Sequence, residues 1–142
     1  MAVNTSLFPD LARTGFHITS PMDATYNCIA WSVGDTARWW WPDPGGFDFW
    51  PPGTPRDRTV DAFIQALGTA GYAPCADGSM ESGWEKVALY ATHEGPTHAA
   101  RQLPNGHWTS KLGPDEDIEH DLAGLVSAIY GSVIQFMRRP VT

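Results

Sequence analysis

Cys28 opens the run Tyr26-Asn27-Cys28-Ile29-Ala30-Trp31, and seventy positions later His98 stands in Pro96-Thr97-His98-Ala99-Ala100-Arg101. A thiol becomes a strong nucleophile when its proton is removed, and an imidazole is basic enough near neutral pH to remove it. The pair therefore reads as nucleophile and general base. The sulfur would attack a carbonyl, and the imidazole would take the thiol proton and pass it to the leaving group. Such a base needs a third group to orient it. Downstream lies Trp108-Thr109-Ser110-Lys111-Leu112-Gly113, in which Ser110 can accept from an imidazole N–H and Lys111 is a poor partner for a basic histidine.

The elements around the pair must set its geometry. Thr25 or Asn27 can cap free N–H groups, so a short apolar helix is predicted to begin near Cys28. That start would hold the thiol beside unsatisfied N–H groups and the positive end of the helix dipole, which favour thiolate. From Arg38 to Pro55 the chain carries five prolines and three glycines among six aromatic residues, which excludes a regular helix or central strand. An ordered loop is expected there, most of its rings folded over the core and some lining a substrate groove near Cys28. Val60, Phe63, Ile64 and Leu67 recur at helical spacing and predict an amphipathic helix ended by Gly68 and Gly71.

From Glu85 onward the period changes. Lys86 to Ala91, Thr97 to Leu103 and His107 to Leu112 read as three strands of an antiparallel meander, the last two joined through Asn105-Gly106. A two-residue turn there sets Leu103 opposite Trp108 and puts Lys111 on the face of His98. A three-residue loop puts Ser110 there instead. Pro114 to Asp121 is a polar segment, Leu122 to Ile129 is helix-like or irregular, and Ser132 to Arg138 is the last strand. Helices followed by a sheet give an α+β order.

A cysteine at a helix start, a His-Ala pair entering a strand, and a Trp-x-x-Lys-x-Gly strand after a tight turn resemble the papain-like superfamily, including the small bacterial NlpC-type peptidases. The similarity covers Tyr26 to Trp31 and Thr97 to Gly113, and Tyr130-Gly131 also resembles small bacterial domains of this superfamily. The resemblance implies a single papain-like domain over 1–142, with N-terminal helices packed on an antiparallel β-meander. It implies Cys28 as nucleophile, His98 as general base, and the Cys28 N–H as an oxyanion donor. Papain-like enzymes orient the histidine with a polar side chain on the following strand, where Leu112 cannot serve. Ser110 is one substitute. Glu119 and His120 are others, because NlpC-type enzymes can use a second histidine in that role. Asn27, Trp31, Trp40 and Trp41 are the expected substrate-binding residues.

Composition narrows the partners. Sixteen acidic against nine basic residues give a formal charge of −7 with no Lys/Arg block, which argues against nucleic acid and anionic membranes. No segment approaches the ~18 apolar residues of a membrane span, and Met1 to Asp10 lacks a basic region followed by an apolar one. A cytoplasmic location is expected. The only cysteines, Cys28 and Cys75, are expected as reduced thiols, Cys75 in a structural role. His17, His93 and His107 sit in polar or turn-rich contexts and are expected to face solvent. Cys28, Cys75, His93, His98 and His120 lack zinc-site spacing, and Gly45-Gly46 lies among prolines where it cannot open a phosphate-binding helix. No metal and no cofactor is expected, and the sequence specifies no oligomeric state. The expected activity is a cysteine-dependent hydrolase or acyltransferase on an amide, ester or thioester of a protein or peptide substrate, peptidase or amidase first. The alternative is a non-catalytic papain-like interaction module using the Trp-rich loop, as a toxin, immunity or defence component.

Overall fold

The computed structural model describes residue 3 and residues 5–141. Strands β3 (Trp84–Thr92), β4 (Gly95–Gln102), β5 (Trp108–Lys111) and β6 (Asp117–His120) form a continuous meander. β7 (Ser132–Pro140) returns along the free side of β3, and β1 (Phe16–Ser20) and β2 (Ala73–Cys75) close the two edges. The result is a seven-stranded antiparallel sheet in the order β1-β6-β5-β4-β3-β7-β2, carrying a few short helices: an α+β architecture.

Both faces of the sheet are covered, which is why β3 reads as an unbroken apolar run instead of an alternating one. Val87 and Leu89 point to the face that carries α2 (Cys28–Val33) and α3 (Val60–Gly68). Ala88 and Tyr90 point to the other, covered by α1 (Pro9–Thr14) and a 3₁₀ turn at Leu122–Leu125. The Trp-rich loop is ordered over the α2 side. Arg56 donates to the carbonyls of Trp41, Asp43 and Asp48 and to the Asp43 carboxylate, while Asp43 accepts from the N–H groups of Phe47 and Asp48. Trp41 and Trp50 pack on Phe63 of α3, with ring centroids 5.5 and 4.9 Å away.

The helices-then-sheet order needs correction at two places. Phe16–Ser20 is an edge strand, exposed at most positions and so without an apolar signature. The polar segment after Pro114 contains its partner β6. Asp117 is wholly buried there because the hydroxyls of Thr19 and Tyr26 donate to its carboxylate, so an acidic residue sits inside a central strand.

The β4–β5 connection takes the three-residue form. Leu103 and His107 close it, Leu103 also accepts from Gly106 N–H, and Gly106 adopts φ 88°, which an L side chain rarely tolerates. Arg101 then opposes Thr109 and Gln102 opposes Trp108, which sets Ser110 on the face of His98. Both cysteines are free thiols, Cys28 buried and Cys75 half-buried. Among the described residues, no helix is long and apolar enough to cross a membrane.

Candidate active site

Asn27 builds the start of α2. Its side-chain oxygen accepts from Ala30 N–H as an N-cap and also from Trp40 N–H, while its amide donates to the Trp40 carbonyl at 2.8 Å. One side chain thus fastens the cysteine helix to the Trp-rich loop. The loop is extended at this point, so its side chains alternate: Trp40 turns inward and is 6% exposed, while Trp39 and Trp41 turn toward Cys28. With Tyr130 they wall a cavity of about 340 Å³, completed by Asn27, Cys28, Thr97 and Gly113.

Tyr130 is held by a tight turn. Ser127 and Gly131 exchange backbone hydrogen bonds, and Thr97 donates to the Tyr130 carbonyl at 2.6 Å. Gly131 has φ 75°, and a Cβ on it would lie 1.9 Å from the Ala91 carbonyl oxygen, so only glycine fits. Thr97 is itself the extra residue of a β-bulge: β3 pairs Tyr90 with His98 and Ala91 with Pro96, skipping Thr97.

His98 lies at this bulge, fully buried, its ring stacked on Tyr130 at 4.1 Å and edge-on to Tyr90 at 5.3 Å. From it a hydrogen-bonded chain crosses three strands. His98 Nε2 is 2.8 Å from Ser110 Oγ, which is 2.7 Å from His120 Nε2, and His120 Nδ1 is 2.8 Å from the Asp121 carbonyl oxygen. Because a carbonyl only accepts, His120 Nδ1 must carry a proton. In a neutral His120 the Nε2 is then the acceptor, Ser110 donates to it, and Ser110 Oγ is left to accept from His98 Nε2–H. The tautomer of His98 follows: its Nδ1 holds an unshared lone pair. That nitrogen is buried and has no hydrogen-bond partner.

Burial sets the charges. It holds His98 well below the usual 6.5, helped by the neighbouring His120, and lowers His120 to about 4 against the opposing pull of the Asp121 carbonyl. Both imidazoles are therefore neutral at pH 7. Burial also pushes the Cys28 thiol up to about 11, outweighing the N–H groups of Ala99, Ile29 and Cys28 and the charge of Lys111. This corrects the expectation of a thiolate favoured by the helix start. A six-residue helix start does not offset the lost hydration of a charged sulfur on a side chain that is itself buried.

The expected site residues divide accordingly. His98, Ser110 and His120 are joined directly. Cys28 lies on the face of Ala99, with which it packs, whereas His98 turns to the face of Tyr90 and Ser110, and no hydrogen bond links the thiol to the imidazole. Of the expected substrate-binding residues, Asn27 and Trp41 line the cavity; Trp40 does not, and Trp31 is turned to Thr109, to which its indole N–H donates at 3.0 Å. Glu119 is bound to His107 and Asn105 at the surface, away from the chain of imidazoles. His17, His93 and His107 are exposed. Trp39, Thr97 and Tyr130 also line the cavity, and the sequence assigns none of them a place in the site. Alternation along an extended Trp39-Trp40-Trp41 was the available signal for the first, and the glycine after Tyr130 for the last.

Residues 17–138 match the model of a family described as Domain of unknown function (DUF7689), and the chain belongs to that family. No curated protein and no solved structure matches it.

Proposed function

We propose that this chain is a papain-like cysteine hydrolase or acyltransferase in which Cys28 is the nucleophile and His98 the general base. The observation that carries the reading is the unshared, buried lone pair on His98 Nδ1, left free because Ser110 and His120 fix the proton on Nε2. A buried acceptor without a partner is costly, and a lone pair waiting for a proton is a reason to keep one. Nδ1 is also the ring nitrogen nearest the main chain, and the peptide N–H that follows His98, that of Ala99, is the leading backbone group acting on the thiol.

The chemistry is that of a neutral pair. With a substrate carbonyl in the cavity, the thiol proton passes to Nδ1 as the S–C bond forms, and His98 becomes an imidazolium whose Nε2–H is held by Ser110. The proton then goes to the departing amine, alcohol or thiol as the acyl bond breaks, leaving a thioester on Cys28. Water or an acceptor nucleophile attacks the thioester as its proton passes to the same nitrogen; the S–C bond then breaks, the acyl group leaves on the new nucleophile, and the departing sulfur takes the proton back from Nδ1. This sequence requires the thiol and Nδ1 to come within hydrogen-bond reach when the cavity fills, as contacts slack in an empty site tighten in the bound complex.

The missing thiol–imidazole hydrogen bond favours a second reading, a non-catalytic interaction module that keeps the relay for stability alone. Incubation with 4-nitrophenyl benzoate, with the adduct located by peptide mass spectrometry, separates the two. The enzyme reading expects a benzoyl thioester on Cys28 that forms faster than on Cys75 and slows ~100-fold in His98→Ala. Equal labelling of the two cysteines, or no effect of His98→Ala, leaves the module.

A further inference from the structure

The geometry points to an uncharged, flat acyl group as what the Cys28 cavity receives. This inference rests on the proposed thiol chemistry and specifies its substrate. Three aromatic residues, Trp39, Trp41 and Tyr130, are among the seven that line the wall. Two of them are braced from behind, Trp41 edge-on against Phe63 at 5.5 Å and Tyr130 stacked on His98 at 4.1 Å and tilted on Phe8 at 5.0 Å. Braced rings present flat faces without an ordering cost on binding.

Several polar atoms along the wall are spent on the protein. The Asn27 oxygen accepts two backbone N–H groups and its amide donates to Trp40. Thr97 Oγ1 gives its proton to the Tyr130 carbonyl and keeps lone pairs that can accept. The Gly113 carbonyl is taken by Lys111. What remains for a ligand is the Thr97 and Tyr130 hydroxyls, the indole N–H groups of Trp39 and Trp41, one Asn27 amide N–H and the thiol, a neutral set that suits an amide or ester and supplies no counter-ion. Among the described residues, Cys28 and Tyr130 are the only ionisable ones on the wall, and burial raises the pKa of both, so neither is charged near neutral pH. The buried cation nearby, Lys111, is turned to the Asp23 and Gly113 carbonyls and lies 4.7 Å over the Tyr26 ring. A carboxylate or ammonium entering here would give up hydration without gaining a counter-ion. The volume, about 340 Å³, is at the small end for ligand sites and suits an aryl or short branched acyl group.

Three isosteric probes that differ in charge test this in Cys28→Ala protein, which cannot react: benzamide, benzoate and benzamidinium, titrated while the indole N–H resonances are followed by NMR. Benzamide is expected to shift the Trp39 and Trp41 signals saturably, with at least ~10-fold higher affinity than either ion. Trp39→Leu, which keeps an apolar wall but removes the flat one, is expected to lower that affinity. Ions that bind as well as benzamide, an absence of saturable shifts at Trp39 and Trp41, or an unchanged affinity in Trp39→Leu would overturn the inference. Selective benzamide binding without a Cys28 acyl adduct in the wild type would sink the thiol chemistry and leave the cavity preference standing. Acylation of Cys28 without selectivity for benzamide would do the reverse.

Discussion

The hydroxyl of Ser110 decides what His98 can do. It is the joint between two imidazoles, donating to one and accepting from the other, and its removal strands two buried ring nitrogens at once. Each stranded polar group costs ~1–3 kcal/mol, so Ser110→Ala is expected to lose roughly 2–4 kcal/mol in urea unfolding. It also frees His98 to take either tautomer, so Cys28 benzoylation should slow by ~10-fold or more beyond any effect of unfolding, a rate loss that a purely structural hydroxyl would not produce. His120 adds a pH signature. Its folded value, about 4, lies below the ordinary 6.5, so between these values the unfolded chain binds a proton that the native chain does not. Its contribution is fully present above about pH 6.5 and is lost progressively down to about pH 4, on the order of 3 kcal/mol in all. Unfolding free energies at pH 7.5 and pH 4.5 should therefore differ more for the wild type than for His120→Gln, which has no proton to gain; an equal difference would contradict the neutral burial of His120.

At the scale of elements, the site depends on backbone devices that hold aromatic rings. The Ser127–Gly131 turn aims Tyr130 at both His98 and the cavity, and it tolerates no side chain at Gly131. Gly131→Ala is expected to cost ~3 kcal/mol from left-handed backbone and the clash with Ala91, read as a lower denaturation midpoint, and to expose the His98 ring. These devices were unevenly legible in the sequence. The helix at Cys28, a cap at Thr25 or Asn27, and the strands β3, β4 and β5 were readable because each has a local signature: a capping side chain, an apolar run, an Asn-Gly turn. The registers of β4 and β5 were readable only as alternatives, since the length of the loop at Asn105-Gly106 depends on whether Leu103 or Pro104 closes it. β1 and β6 had no local signature at all. Edge exposure removes apolar periodicity from Phe16–Ser20, and Asp117 reads as surface until the hydroxyls of Thr19 and Tyr26 come to it from distant parts of the chain.

For the molecule as a whole, the sheet separates two jobs. One face carries the relay beneath α1 and the 3₁₀ turn, the other carries Cys28 beneath α2, α3 and the Trp-rich loop, and they meet at the bulge of Thr97, where Tyr130 touches His98 and walls the cavity. The loop supplies Trp40 and Trp50 to the core of the α2 face. Its fold hangs on Arg56, whose guanidinium gathers three carbonyls and the Asp43 carboxylate. Arg56→Met should cost about 2 kcal/mol and open the loop to limited proteolysis near the fully exposed tip at Phe47, while the sheet keeps its circular dichroism. Binding of benzamide should weaken in parallel as Trp39 and Trp41 lose their places.

The role proposed for His98 requires a neutral ring that keeps its proton on Nε2 and leaves Nδ1 free. Nitrogen-15 NMR of the histidine rings at pH 7 reads this directly. His98 is expected to be neutral with its proton on Nε2, and His120 neutral with its proton on Nδ1. An imidazolium at His98, or a proton on its Nδ1, would contradict it.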